Sequence, residues 1–351
     1  MKSRMLRTAV TMLVAAVLAA CSPGPTPTPA PTPTPAATPA PTPIPTPKPK
    51  ADADMVVGFI QSDSETAWRV ANTASFMDTA IARGIKLTVS DAGGKLAKQI
   101  DAFHRFNADP KVNVIVLDPI ETTGYDDVLK EAAAAGKIVI IEDRSIGADP
   151  KLYTTHVGAD FAAEGQKAGS AMCDLLKSST KKRVAEITGP VGSSISVGRA
   201  KGFRDKMGEC GIPDPVSIGL SQASDWGATQ SKAVMAGFLK RTRDIQGVLA
   251  HNDEEAIGAI QAIKEAGLVP GKDIQIVGFD ASADGFKYLI SGELGADVEY
   301  SPLLAPQVFD AALKAMNHDS SLPKFIAVQE GLFTAAMGAD ALNLPRTNAK
   351  Y

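Results

Sequence analysis

Short apolar runs alternate with segments of helical periodicity along most of the chain. The clearest case is residues 247–280, where the run from Val248 to Ala250 predicts a buried strand. Isoleucines then recur on one helix face, and Gly267 follows as a stop signal. A second apolar run ends at Asp280. The pattern predicts two parallel strands joined by a helix, with polar side chains at the carboxyl ends of both strands.

The same unit recurs before and after this stretch. Strands that alternate with helices are typical of a doubly wound parallel sheet. Two similar halves joined by several crossings predict two α/β lobes with a cleft between them. In such sheets, ligands bind at the carboxyl ends of the strands, where the strand order reverses. The remaining predicted strands are 55–60, 85–89, 112–117, 137–141, 183–188, 216–220 and 325–328. Residues 295–300 are expected to be a strand or a crossing, and residues 154–158 a crossing.

The first 21 residues have the features of a targeting signal. Lys2, Arg4 and Arg7 precede an apolar run, Ala9 to Ala20, that is too short to span a bilayer as a mature helix. The sequence LAAC that ends at Cys21 resembles a bacterial lipobox, in which the cysteine is lipidated. The alternative is an ordinary secretory signal with an accidental cysteine. We expect residues 1–21 to be a lipoprotein signal peptide and Cys21 to be the lipidation site.

The segment that follows is composed almost entirely of proline, threonine and alanine. Thirteen of the chain's 24 prolines lie between Pro23 and Pro49. Such a composition cannot bury a core and favours an extended polyproline spacer. We therefore predict a disordered linker over residues 22–53 and a folded part of roughly 300 residues after it, which is enough for two lobes.

Charge and cysteine content exclude several classes of protein. The formal net charge of the chain is -3, which gives no reason to expect a nucleic-acid partner. Besides Cys21, the sequence contains only Cys173 and Cys210, with no cysteine and histidine cluster, so we predict no metal site and no cofactor. An exported protein can form a disulfide between these two cysteines, and the sequence alone leaves that pairing open.

Several segments, in their order and spacing, resemble the periplasmic sugar-binding proteins of ABC transporters, ribose-binding type. Within that family, the likeness is greatest to the galactofuranose-binding members. It extends from Met55 to about Gly338. The segments are Ser64 to Arg69, Glu142 to Ile146, Arg199 to Phe203, His251 to Ile274, Val277 to Asp280 and Glu299 to Pro302.

The resemblance implies a type I periplasmic-binding-protein-like fold, in which two lobes are joined by three hinge crossings. It implies a first lobe of residues 54–157 plus 300–325 and a second lobe of residues 158–299 plus 326–345. The family's ribose binders have a glutamine where this chain has Tyr300, so the resemblance argues against ribose. Asp118 replaces a small residue of the galactofuranose binders, which changes the expected pattern of hydroxyl contacts.

A sugar offers hydroxyl groups that donate and accept, and also flat C–H faces. Carboxylates, guanidinium groups and amides bind the hydroxyls, and indole rings cover the C–H faces. Side chains of these types stand at the predicted strand ends. The candidate ligand-binding residues are Glu65, Trp68, Arg69, Asp118, Asp143, Arg144, Arg199, Asp225, Trp226, Asn252 and Asp280.

Each candidate also has an ordinary structural role open to it. Asp280 and the pair Asn252-Asp253 can cap helices, Asp143-Arg144 can form a turn pair, and Trp68 can belong to the core. Three arginines also suggest an anionic ligand. Several carboxylates at equivalent strand ends oppose that charge, so we expect a neutral polyol.

The sequence-based interpretation is a monomeric solute-binding lipoprotein of an ABC importer, anchored at the cell envelope, that delivers a monosaccharide to the permease. Galactofuranose or a similar aldose is the expected ligand. The alternatives are a sugar sensor for a chemoreceptor or kinase, and an autoinducer- or polyol-binding protein. A transcriptional regulator would need a DNA-reading motif where the signal and linker stand. A glycosidase would need two opposed carboxylates, and no nucleophile motif indicates an enzyme.

Overall fold

The computed structural model describes residue 24 and residues 48–64, 66–213 and 215–343, without the side chains of 217–219. Its compact folded unit begins at Lys48. The predicted signal peptide with Cys21, most of the predicted linker, the site candidate Glu65 and the last eight residues lie outside the described residues.

The first sheet has six parallel strands in the order β11-β5-β4-β3-β1-β2. Its inner strands β1, β3 and β4 are almost entirely buried, as is usual for parallel sheets, whereas the edge strands β2 and β11 are partly exposed. One face is covered by α1 and α9, and the other by α2 and α3. These elements, numbered in chain order, are β1 (Val56–Gln61), α1 (Ala67–Arg83), β2 (Lys86–Asp91), α2 (Leu96–Ala108), β3 (Val114–Leu117), α3 (Asp126–Ala134), β4 (Ile138–Glu142), β5 (Thr155–Gly158), α9 (Ala305–Met316) and β11 (Phe325–Ala327).

The second sheet repeats this order as β12-β10-β9-β8-β6-β7, and its edge strand β12 is antiparallel to β10. Helices α4 and α5 pack on one face, and α6, α7 and α8 pack on the other. Its elements are α4 (Phe161–Leu175), β6 (Val184–Thr188), α5 (Ser194–Glu209), β7 (Val216–Ala223), α6 (Ala228–Arg241), β8 (Gly247–Ala250), α7 (Asp253–Glu265), β9 (Gln275–Asp280), α8 (Ala283–Ser291), β10 (Ala296–Glu299) and β12 (Leu332–Thr334).

The chain passes between the two sheets three times, after β5, after β10 and after β11. This arrangement confirms the predicted pair of doubly wound lobes joined by three crossings. Phe325 to Ala327 pair with β5 and belong to the first sheet, which extends that sheet two residues beyond the predicted boundary at 325/326. Strand β12 was not anticipated, since three residues are too few to show a period.

The predicted linker also ends earlier than its expected limit at residue 53. Residues 48–53 belong to the folded unit. The backbone N–H of Lys50 donates to Oδ1 of Asn317 at 2.8 Å, and Asp52 forms an ion pair with Arg83 at 2.8 Å. The proline-rich tract ends at Pro49. The residues directly after it can therefore form the 3-10 helix at Asp52–Asp54.

A disulfide joins Cys173 near the end of α4 to Cys210 at the end of α5, which resolves the pairing that the sequence left open. The two helices approach each other closely through small residues. A side chain added at Gly202 would lie 1.9 Å from the backbone oxygen of Ala162, and one at Gly165 would lie 2.2 Å from that of Arg199. This contact fixes the part of α5 that carries Arg199.

Candidate functional site: a cleft between the two lobes

A cavity lies between the lobes, at the carboxyl ends of both sets of strands. The space inside it is about 370 Å³ when the solvent at its mouth is included. Strand order reverses between β1 and β3 in the first sheet and between β6 and β8 in the second. The lining residues are Asp63, Thr66, Trp68, Arg69 and Arg144 from the first lobe, Ile195, Arg199, Trp226, Asn252 and Asp280 from the second, and Tyr300 from a crossing.

Helix α1 begins at the cleft and presents an aromatic wall there. Thr66 caps the helix by accepting from the backbone N–H of Arg69. Nε1 of Trp68 donates to the backbone oxygen of Tyr300 at 3.0 Å, and the two rings stack with centroids 4.7 Å apart. The Arg69 guanidinium lies 4.5 Å from the Trp68 ring centre. The wall therefore joins the first lobe to the second crossing.

Arg69 is held from behind by two buried carboxylates. Its Nη1 lies 2.9 Å from Oδ2 of Asp118, and its Nη2 lies 2.5 Å from Oδ2 of Asp143. Burial would lower the pKa of Arg69, but the charges of Asp118 and Asp143 raise it. Burial also raises the pKa of Asp118 to about 6, although Arg69 and the Ser62 hydroxyl oppose the rise. Asp118 and Asp143 therefore do not line the cavity themselves but hold Arg69, which does.

Arg144 follows Asp143 in the chain, and its side chain lines the cavity. Within the described part of the chain, its Nε is buried without a hydrogen-bond partner. The preceding Asp143 has a φ of 60°, a left-handed conformation that non-glycine residues rarely adopt. This turn at the end of β4 directs Asp143 to Arg69 while Arg144 lines the cleft.

Arg199 on α5 is the corresponding cation of the second lobe. Its Nε lies 2.6 Å from Oε2 of Glu164, and its Nη1 donates to the backbone oxygen of His251 at 2.5 Å. The guanidinium carbon lies 4.3 Å from the ring centre of Phe279 and 4.8 Å from that of Tyr300. Among the described residues, nothing accepts a hydrogen bond from its buried Nη2. That nitrogen is available to a ligand.

Trp226 is half-buried and is held in a left-handed conformation with a φ of 71°. Its backbone N–H donates to Oγ of Ser224 at 3.1 Å, and its carbonyl accepts from Nδ2 of Asn252 at 2.9 Å. A side chain at Gly189 would lie 2.1 Å from the indole ring, so only glycine leaves room for it. Asn252 also caps α7, because its Oδ1 accepts from the backbone N–H of Glu255 at 2.7 Å.

Asp280 ends β9 with a φ of 109°, and Ala281 follows at 54°. The helix after it is capped by Ser282, not by Asp280. Burial raises the pKa of Asp280 well above its ordinary range, and the nearby Asp253 raises it further. Among the described non-glycine residues, left-handed backbone concentrates at strand ends by the cleft, which is where proteins place strain that serves a site.

The cleft brings together most of the candidates that the sequence provided. Trp68, Arg69, Arg144, Arg199, Trp226, Asn252 and Asp280 line it. Asp118 and Asp143 lie behind Arg69. Asp225 is exposed and accepts from the backbone N–H of Gly227, so it shapes the turn beside Trp226.

Four lining residues were not among the candidates: Asp63, Thr66, Ile195 and Tyr300. Asp63 and Thr66 lie in the loop after β1. A position directly after a strand could have identified them as candidates, as it did for the other site residues. Tyr300 was noted only as a difference from ribose binders. Ile195 has no polar group that would single it out.

The lining combines donors, acceptors and flat rings, a set that suits a polyol better than a reactive substrate. Within the described residues, no cluster of histidine, cysteine and acidic side chains could hold a metal ion. In the same part of the chain, no helix has the length and apolar character needed to cross a membrane.

Two doubly wound lobes, joined by three crossings and enclosing a polar and aromatic cavity, define a class of proteins that capture a small ligand between lobes. The chain belongs to the periplasmic binding protein family. The family's domain model, "Periplasmic binding protein domain", matches residues 57–320.

The most informative relatives bind furanose sugars, according to their names. The galactofuranose-binding protein YtfQ of Escherichia coli K12 is 40% identical over 278 residues, covering 78% of this chain and 85% of the relative. The periplasmic binding protein of the arabinose ABC transporter from Shewanella sp. ANA-3, solved with L-arabinofuranose, has a TM-score of 0.76 and 38% identity. A Mycobacterium smegmatis structure with β-D-fucofuranose has a TM-score of 0.76 and 36% identity. In both structural comparisons, 82% of this chain and 94% of the other chain are covered.

The names describe sugar-binding proteins, one of them a component of an ABC transporter, and this agrees with the sequence-based interpretation of a sugar-binding subunit of an ABC importer. The family assignment and the fold, both expected from the sequence, are likewise confirmed.

Proposed function

We propose that this protein captures a neutral monosaccharide in its furanose form, with galactofuranose as the first candidate, and delivers it to an ABC permease. The observation that carries the proposal is the cleft itself, where guanidinium groups, a carboxylate, an amide and indole rings converge from both lobes. The names of the relatives support a furanose over a pyranose.

The charges around the cavity favour a neutral ligand. Arg69 is paired with Asp118 and Asp143, and Arg199 is paired with Glu164. An anionic sugar would have to compete with these carboxylates for the guanidinium groups. A neutral sugar leaves the ion pairs intact and uses their remaining donors and acceptors.

We propose specific contacts for the sugar. Arg69, Arg144 and Arg199 donate to ring and hydroxyl oxygens, and Asp280 and Asn252 accept from hydroxyl groups. Trp68 and Trp226 cover the C–H faces. Asp118 and Asp143 act by holding Arg69, Asp225 by shaping the turn that carries Trp226, and Tyr300 by supporting Trp68.

The ligand assignment is tested with a thermal-shift panel of aldoses, including derivatives locked in the furanose or the pyranose form. A ligand at about 100 times its Kd stabilises the folded state by about 2.7 kcal/mol, which raises the Tm by about 5 °C for a chain of this size. Furanose-locked galactose should produce that shift and the pyranose-locked form should not. A shift with the pyranose form alone, or with a disaccharide or nucleoside alone, would contradict the assignment.

Trp226→Ala tests whether this ring contacts the ligand. We expect the Kd to rise about tenfold or more, which corresponds to about 1.4 kcal/mol, while the Tm of the ligand-free protein changes little because the ring is half-buried. Phe325→Ala is the matched control, since it removes an exposed ring that does not line the cavity. Calorimetry of both variants provides the comparison. Unchanged affinity in a destabilised Trp226→Ala protein would assign the ring to the core.

We also propose that lipidated Cys21 anchors a monomeric protein at the cell envelope. The LAAC sequence before the proline-rich linker supports this anchor. Cys21→Ala should move the protein to the soluble fraction or leave an uncleaved precursor. Membrane retention of that variant without an acyl label would contradict lipid anchoring.

A further inference from the structure

The third crossing, residues 328–331, carries a carboxyl group to the back of the sugar site. The crossing is fixed at both ends. The backbone N–H of Val328 donates to the backbone oxygen of Gly158 at 3.0 Å, and that of Gly331 donates to Oε2 of Glu299 at 2.9 Å. Between these ends, Nζ of Lys167 donates to the backbone oxygen of Glu330 at 2.8 Å. The position of Glu330 is therefore tightly determined.

Glu330 lies against the part of α4 that carries Glu164, because the Lys167 that binds its backbone oxygen at 2.8 Å is three residues further along that helix. The charge of Glu164 and its hydrogen bond contribute, after burial, to the raised pKa of Glu330, in agreement with neighbouring carboxyl groups. Glu164 already binds Nε of Arg199 through its Oε2 at 2.6 Å. Its other oxygen, Oε1, and Oε1 of Glu330 are both buried, and neither has a donor among the described residues. Two ionised carboxylates can only accept hydrogen bonds. The two carboxyl groups can lie side by side if one of them keeps its proton and donates it in a hydrogen bond to the other.

We propose that Glu330 is protonated and donates to Glu164, and that it is thereby a positioning residue of the sugar site. The shared proton keeps the Glu164 carboxylate against Nε of Arg199. Arg199 then presents its unpaired Nη2 to the cavity. This role for Glu330 rests on the proposed sugar-binding function, whereas the shared proton itself does not.

The charges that face the pair come from each element packed against it. Glu164 and Lys167 are on α4, and Arg199 is on α5. Glu299 at the end of β10 binds the same crossing, and Asp280 at the end of β9 is near enough for its charge to act on Arg199 and Glu164. Burial raises the pKa of Glu330 to about 11, with Glu164 as the next cause and with Arg199 and Lys167 opposing it. The cations present therefore do not compensate for a second ionised carboxylate.

Glu330→Gln is the informative variant, because an amide N–H can donate to Glu164 without titrating. A carboxyl group whose pKa is raised by folding stabilises the folded state below its unfolded pKa, and this stabilisation is lost as the pH rises towards the folded value. The ligand-free Glu330→Gln protein should therefore gain Tm relative to wild type as the pH rises from 6 to 9.5. Gln329→Ala, an exposed change in the same crossing, should keep a constant offset from wild type.

Affinity provides the second measurement, made with whichever aldose in the panel binds the wild-type protein. Glu330→Gln should keep the wild-type Kd within about threefold, and Glu330→Ala should raise it about tenfold, as expected for a lost bond to a charged group. Wild-type affinity in Glu330→Ala would overturn the positioning role, and parallel pH profiles of wild type and Glu330→Gln would overturn the shared proton. If no sugar binds wild type, the proposed function fails, and the pH profiles still decide the protonation of Glu330.

Discussion

At the scale of single residues, Arg69 is the group on which most of the first-lobe site depends. It joins Asp118 and Asp143, which are both fully buried, and its guanidinium also lies against the Trp68 ring. Replacing a buried ion network with apolar groups is often neutral, but removing one partner alone leaves charges without compensation. Arg69 is therefore a structural residue as well as a proposed ligand contact.

Arg69→Leu should lower the free energy of unfolding by about 3–5 kcal/mol, because it leaves two buried carboxylates unpaired. Urea unfolding at pH 7 measures this loss. Arg105→Leu is the control, since Arg105 makes an exposed bond to Ser90 on the surface. Adding Asp118→Asn to Arg69→Leu should recover part of the loss by removing one of the two charges. Equal stability of the Arg69 and Arg105 variants would contradict the role of the network.

The residues at strand ends were predictable because hydrophobic patterns mark where a buried strand stops. That reasoning found Arg144, Asp280 and Asn252. It could not distinguish a side chain that faces the cavity from one that holds its neighbour, as Asp118 holds Arg69, because both follow a strand in the same way. The left-handed turns at Asp143 and Trp226 also left no sign in the sequence, since neither residue is glycine.

At the scale of elements, the contact between α4 and α5 determines where Arg199 lies. Gly165 and Gly202 allow the backbones to approach so closely that an added side chain would overlap the opposite helix. The Cys173–Cys210 disulfide holds the far ends of the same two helices. Small residues and a covalent link together make this pair a rigid support for the cleft.

Gly202→Ala should destabilise the protein by about 1–3 kcal/mol and weaken sugar binding, because α5 must move away from α4. Gly208→Ala lies in the same helix with nothing within 4 Å of the added carbon. It should stabilise the protein by about 0.5–1 kcal/mol, since alanine favours a helix. Chemical unfolding and calorimetry of the two variants test this difference. A stabilising effect of Gly202→Ala would show that the helices can separate freely.

Helices and most parallel strands were predictable from periodicity, and β1 to β4 and β6 to β11 correspond to runs that the sequence marked, whereas residues 154–158 were expected to be a crossing and contain the strand β5. The start of the folded unit and the last strand of the second sheet differ from the sequence-based expectation for physical reasons. Residues 48–53 join the folded unit through single contacts such as the Asp52–Arg83 ion pair, which no composition signals. Strand β12 is held by pairing with β10, a partner more than thirty residues away.

At the scale of the whole molecule, buried carboxyl groups determine how stability depends on pH. Burial raises the pKa of Asp253 to about 7 and that of Glu255 to about 8, against smaller opposing effects of bonds from Ser282 and Ser224. Burial lowers the pKa of His156 and of His251, so both are neutral above their ordinary value of 6.5 in the folded and unfolded states alike. Above pH 6.5, the carboxyl groups therefore determine how the free energy of unfolding changes with pH.

Asp253 and Glu255 together should lower the free energy of unfolding by about 2–3 kcal/mol between pH 6.5 and pH 8.5, in addition to the fall expected from Glu330. Carboxyl groups with raised pKa values bind protons in the folded state and lose them over this interval, so the folded state loses stability as the pH rises. Urea unfolding at the two pH values measures the fall, and Glu255→Gln should reduce it. Constant or increasing stability over this range would contradict the assignment of raised pKa values to these groups.

The three crossings also determine the order in which the two lobes can be completed. The first lobe is incomplete until α9 and Phe325 to Ala327 have been made, and the second sheet is incomplete until Leu332 to Thr334 have been made. A ribosome that has made the first 300 residues has therefore produced β1 to β10, but neither of the edge strands β11 and β12 and not the helix α9. We therefore expect neither lobe to complete its fold as an independent domain before the segment after Tyr300 has been made.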